Sequence, residues 1–103
     1  MDRIDRIKEM ERRLDDVRKA TDELEKAFSA YEELQNDYQK LNEYYGSITW
    51  MKDYEADEKG KLPKDLKRGV LSEDAVYDLI NDNHDLAVRM LRVITKLLEK
   101  EAL

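Results

Sequence analysis

Tyr44-Tyr45-Gly46-Ser47-Ile48-Thr49-Trp50-Met51-Lys52-Asp53-Tyr54 is the stretch that decides the fold. Everything before it reads as one helix. Residues 2–45 contain no Gly and no Pro. Apolar side chains recur at Ile7, Met10, Leu14, Val17, Leu24, Phe28 and Tyr31, and only Thr21 interrupts the spacing of three and four. A second series runs through Leu24, Ala27, Tyr31, Leu34, Tyr38, Leu41 and Tyr45. Such spacing lays one stripe along a helix, as in a coiled coil. The two series overlap, so the seam shifts phase near Ala27 and Phe28. Gly46 then stops the helix, as a glycine just past the last periodic residue does. Ser47 caps a new, short helix whose apolar face is Ile48, Trp50, Met51 and Tyr54.

Reading outward, Gly60 and Leu62-Pro63 end the short helix. Residues 60–71 read as a loop with one helical turn near Asp65-Leu66-Lys67-Arg68. Ser72 followed by Glu73 and Asp74 starts a last helix, a cap with acids in the first turn. Its seam is Val76, Ile80, Asn83, Ala87, Met90, Ile94 and Leu97, widened by Leu79, Leu86, Leu91 and Leu98. A stripe this wide asks for more than one neighbour. On the first helix, Asp2 and Arg6, Glu9 and Arg13, Asp15 and Lys19, and Asp22 and Lys26 stand four apart with the acid first, the favourable order. At 1.5 Å per residue the helices measure about 65, 20 and 44 Å, so the two later ones together match the first. The sequence therefore predicts an all-α single domain over residues 1–103. Its form is a long antiparallel helical hairpin with a broken return arm, coiled-coil-like or a small bundle. Its elements are a helix over about 2–45, a short helix over about 47–59, a loop over about 60–71 and a helix over about 73–101. A two-helix pair buries little in so small a chain, so the open stripe calls for a second copy or a partner.

Composition narrows the function classes. The 103 residues include no Cys and one His. That excludes a disulfide framework, a thiolate zinc site and a cysteine nucleophile, and it excludes a multi-histidine metal site within one chain. The net charge of −6, from 25 acidic and 19 basic residues, is a mixed-sign balance. No direct nucleic-acid binding is expected from it. The chain opens on charges rather than an apolar signal segment, and no apolar run reaches the ~20 residues of a membrane span. The expected location is the cytoplasm, with no membrane partner.

Several clusters bear on chemistry. Asp53, Glu55 and Asp57 have the spacing of the first ligands of a calcium loop, but Glu58 stands where a Gly is needed and Lys64 where a Glu is needed. They are weak metal candidates, and a solvated acidic face is the preferred reading. Lys59, Lys61, Lys64, Lys67 and Arg68 form a basic stretch that balances the acids before it. It has neither interleaved aromatics nor a Gly-rich phosphate loop. His84 lies within the last helix without a carboxylate orienter, and reads as an exposed structural residue. Asn83 interrupts the seam, where a buried Asn fixes register or an edge Asn meets water. Six Tyr stand against one Phe. Tyr31, Tyr38 and Tyr45 fall on the first stripe, and Tyr44, Trp50 and Tyr54 should cluster around Gly46. Their rings read either as core with the tips at the rim or as an interface hot spot.

Tyr44-Tyr45-Gly46-Ser47, Trp50, Asp53 through Glu58, Gly60, Leu62-Pro63, Asp65 through Ala75 and Tyr77-Asp78-Leu79 together resemble a bacterial family filed as domain of unknown function 4298. The similarity extends over nearly the whole chain, and the segment from Tyr44 to Leu79 is its specific part. It implies a bacterial, Gram-positive, cytoplasmic or phage-borne helical protein, and brings no activity or catalytic residue with it.

The expected function is a non-enzymatic helical module for protein–protein interaction, pairing with itself as a homodimer or with another protein and needing no cofactor. The candidate surface is Tyr45, Trp50, Tyr54, Asp57, Leu62, Lys67 and Arg68, and no catalytic residue is assigned. One alternative is an acidic nucleic-acid mimic that inhibits a nucleic-acid-binding protein. A second is a carboxylate metal-binding protein or enzyme using Asp53, Glu55, Asp57 and Asp78.

Overall fold

The computed structural model describes residues 2–101. Among them every regular element is helical: α1 (Arg3–Glu33), α2 (Gln35–Tyr44), α3 (Ile48–Glu58), a 3-10 turn (Gly69–Leu71) and α4 (Ala75–Glu101). The chain divides into two compact units, the first ending at Tyr38 and the second beginning at Gln39.

The first unit is dominated by α1. Asp2 caps it, accepting from the Asp5 amide at 2.8 Å, so this carboxylate closes the helix end rather than pairing with Arg6. Arg12 lies between Glu9 (2.6 Å) and Asp16 (3.0 Å), and Arg13 reaches Glu9 at 3.1 Å. The neighbouring guanidinium groups, Arg12 first, hold the Glu9 carboxyl below its ordinary range. Thr21, which interrupts the stripe, donates its hydroxyl to the Val17 carbonyl at 2.8 Å, a local bond that satisfies the polar group on its own helix. The apolar stripe of α1 carries Ile7, Met10, Leu14, Val17, Leu24 and Phe28. All six are exposed.

The expected helix over 2–45 is interrupted once. Leu34 leaves helical geometry (φ −92°, ψ 1°), and its amide bonds to the Tyr31 carbonyl three residues back at 3.2 Å. The Tyr38 amide then returns to the Leu34 carbonyl at 2.9 Å. The interruption is thus a single tightened turn of 3-10 type. It falls six to seven residues beyond the predicted shift of the seam, where no Gly or Pro marks it.

In the second unit the chain stops are where the glycines stand. Gly46 (φ 78°) and Gly60 (φ 68°) are left-handed, a conformation that glycine adopts without the Cβ penalty. Ser47 caps α3 by accepting from the Trp50 amide at 3.1 Å. At its far end the Lys61 amide bonds to Ala56 and the Gly60 amide to Asp57, both at 3.0 Å. This pair of bonds is the Schellman closure. The predicted helical turn at residues 65–68 lies a little later, as the 3-10 turn at Gly69–Leu71. α4 begins two residues beyond its predicted start. Ser72 uses its hydroxyl to accept from the Ala75 amide at 3.1 Å, and the first helical bond runs from Asp78 to Asp74. The 3-10 turn packs against both α3 and α4. Among the described residues, Leu71 within it and Val76 at the start of α4 are the buried apolar residues.

Candidate functional site

The corner after Gly46 is an aromatic ladder. Trp50 and Tyr54 stand four residues apart on α3, so their rings share one side, and Tyr45, just before Gly46, adds a third ring. Tyr45 meets Trp50 edge to face, with centroids 5.3 Å apart and planes at 70°. Trp50 stacks on Tyr54 at 5.3 Å and 21°. The polar tips all reach the segment that leads into α4. Trp50 Nε1 donates to the Val70 carbonyl at 2.8 Å, and the Tyr45 hydroxyl donates to the Glu73 carbonyl at 2.9 Å. The Tyr54 hydroxyl lies 3.2 Å from Glu73 Oε1. Two rings on α3 and one just before Gly46 thereby fasten a segment 19 to 28 residues further along the chain.

Arg68 fastens the loop between them. It donates to Asp57 Oδ1 at 2.7 Å, to the Leu66 carbonyl at 3.3 Å and to the Pro63 carbonyl. The planar guanidinium supplies several donors in a fixed fork, and here it ties α3 to two backbone oxygens of the loop. Pro63 contributes twice, because its carbonyl also takes the Leu66 amide at 3.2 Å.

Of the sequence candidates, the structure brings together Tyr45, Trp50 and Tyr54 as the ladder, and Asp57 with Arg68 as the loop tie. Leu62 is half-buried in the loop. Lys67 stands elsewhere, on a groove of about 430 Å³ beside the start of α4, lined also by Leu41, Val70, Val76 and Leu79. Among the weak metal candidates, Asp53 accepts from the Tyr44 hydroxyl at 2.6 Å and Asp57 is engaged by Arg68. Among the described residues no three acidic or histidine side chains converge as a metal would require. Asn83 is half-buried and donates to the Leu79 carbonyl at 2.8 Å, and His84 is exposed.

Two hydroxyls are electrostatically marked. The bond to Asp53, with burial second, pushes the Tyr44 phenol up to about 12. Glu58 and then Glu73 push Tyr54 up to about 12 as well. A phenolate beside a carboxylate is repelled and loses the hydrogen bond that the neutral phenol donates.

Glu73 was not legible as a site residue. It serves the corner through both its carbonyl and its carboxylate, contacts across 28 and 19 residues that no local pattern encodes. The signal for Tyr44 was present in the excess of Tyr over Phe, since each hydroxyl away from water needs a partner.

These features define an all-helical protein with a strapped corner, in which no group of three His, Cys, Asp or Glu side chains among the described residues could hold a metal ion. The chain belongs to the family described as Domain of unknown function (DUF4298), whose profile matches residues 7–93. No curated protein and no solved structure matches it. Among the described residues no helix is long and apolar enough to cross a membrane.

Proposed function

We propose that the protein is a non-enzymatic helical interaction module that works by coiled-coil-like pairing of α1. The observation that carries this is the open stripe from Ile7 to Phe28, on which Val17 and Leu24 are 65 % and 64 % exposed. Contiguous apolar surface of this kind marks an interaction site in a folded protein. The corner aromatics support a division of labour. Their polar atoms are engaged with residues 70 and 73, which suits a corner that holds the molecule's form while the α1 stripe makes contact. The alternation of Arg12 and Arg13 with Glu9 and Asp16 breaks any continuous acidic track on α1, which disfavours the nucleic-acid mimic.

The test is a capture experiment from host cytosol at moderate salt, with the full chain and with a Leu14→Asp/Val17→Asp chain as baits. Both positions are exposed, so the variant keeps its helical circular dichroism. A protein held by the native bait and lost by the variant is the expected result. Deuterium exchange of α1 in the free chain completes the test. If α1 is strongly protected in a monomer that captures nothing, the stripe is closed internally, as in an antiparallel hairpin, and the proposal fails.

A further inference from the structure

The stripe along α4 is covered unevenly. Val76 at its start is 4 % exposed, whereas Leu97 and Leu98 near its end are 56 % and 57 % exposed. Charge changes along the same helix. Asp78, Asp82 and Asp85 occupy the first half, with no Lys or Arg among them and only His84 beside Asp85. Arg89, Arg92, Lys96 and Lys100 dominate the second, against Glu99 and Glu101. The groove lined by Leu41, Val70, Val76 and Leu79 opens at the acidic end and carries Lys67.

We infer that a second copy of this chain docks on this face, with the two α4 helices antiparallel. This goes beyond the α1 reading, because it uses a different helix and names the occupant. Three features of the chain point to a second copy in this orientation. The first is charge. A parallel pair sets acidic half beside acidic half and basic beside basic, while the antiparallel pair sets each beside its opposite and also opposes the helix dipoles.

The second is register. The seam alternates four and three residues, and an antiparallel pairing centred between Val88 and Arg89 brings its six residues from Ile80 to Leu97 into matched layers, leaving out Val76, which is buried in its own chain. Ile80 faces Leu97 of the second copy, Asn83 faces Ile94, and Ala87 faces Met90. Asn83 fits in such a layer because its amide already donates to Leu79. Asp82, near the edge of the stripe, comes beside Lys96 of the second copy.

The third is the groove. The same register brings Leu98 of the second copy level with Leu79, where the groove is open and apolar. Lys67 there meets the carbonyl end of the incoming helix, which carries negative dipole charge. The exposed leucines at one end of α4 and the groove at its other end are thus two halves of one contact, made twice about a two-fold axis.

The chain has no Cys, so introduced cysteines report orientation directly. Full-length chains carrying Ile80→Cys and Leu97→Cys, one of them tagged, are mixed and mildly oxidised, and the native chain is sedimented over a range of concentrations. The expected results are a concentration-dependent dimer and a predominantly mixed disulfide between positions 80 and 97. Leu97→Asp should weaken the dimer at least about tenfold with its helical signal intact, since it places a charge in an apolar layer. A monomer at every concentration overturns the inference, and so does a dimer whose disulfides are 80–80 and 97–97. A dimer that dissociates with Leu14→Asp/Val17→Asp but not with Leu97→Asp overturns it too, while leaving the α1 reading standing.

Discussion

Arg68 and Trp50 each join parts of the chain that no helix joins. Arg68 holds Asp57 and two loop carbonyls, so Arg68→Ala leaves a partly covered carboxylate without its partner. Hydrogen bonds to charged groups contribute ~1.5–3 kcal/mol, and the expected loss is about 2 kcal/mol. Arg68→Lys should recover little of it, because a single ammonium cannot reproduce the planar fork. Trp50→Phe keeps a ring between Tyr45 and Tyr54 and loses the bond to Val70, about 1 kcal/mol. Trp50→Ala removes the ring as well and should cost about 3 kcal/mol. Urea unfolding checks the series, followed by Trp50 fluorescence for the Arg68 variants and by circular dichroism for the others. Near-equal midpoints for Trp50→Phe and Trp50→Ala would show that the ladder contributes no packing. The phenols give a pH test. Tyr44 and Tyr54 are neutral when bonded to their carboxylates, and their folded values of about 12 lie above the ordinary value of about 10. Their contribution to stability is therefore complete below about pH 10 and is lost as the pH rises through about 12. In a phenolate absorbance titration Tyr44 and Tyr54 should titrate late, and Tyr54→Phe should remove one late-titrating phenol.

At the scale of elements, what was legible in the sequence was whatever is encoded locally. Gly46 and Gly60 end helices because their backbones are left-handed, and Ser47 begins one because its hydroxyl reaches an amide three residues on. These signals act over four residues or fewer, so the short helix was readable to within about a residue. The start of α4 was less so. Ser72, Glu73 and Asp74 all favour a first turn, but the helix waits until Ala75 because the Ser72 hydroxyl is the cap and also donates to Gly69. The break at Leu34 was not legible at all. It involves no residue that resists helix, only a local exchange of a four-residue for a three-residue bond, and such an exchange costs little. The candidate residues Tyr45, Trp50 and Tyr54 were found by composition and spacing. Their partners were not, since Val70 acts through its backbone carbonyl and Glu73 through both carbonyl and carboxylate, and a backbone oxygen carries no sequence signature.

At the scale of the whole molecule, 41% of the residues are hydrophobic, yet among the described residues only Leu71 and Val76 are buried apolar side chains. Hydrophobic burial is the main term that offsets chain entropy. Under the proposed pairing of α4, a chain that leaves this much of it unused would gain it by association. Association then enters the thermal stability by mass action, because unfolding of a dimer releases two chains and is opposed by raising the concentration. Raising it about a hundredfold should lift the midpoint of thermal unfolding by roughly 5 °C for a dimer of this size. A monomer would show no such shift. Leu97→Asp separates the two causes of stability, since the corner straps lie away from the end of α4. Its midpoint should fall to that of the dilute native chain and lose its dependence on concentration, while Arg68→Ala should lower the midpoint at every concentration and keep the slope. Calorimetric scans of the three chains over the same concentration range decide it. A native midpoint that does not move with concentration would show that the exposed α4 face contributes nothing to stability through self-association.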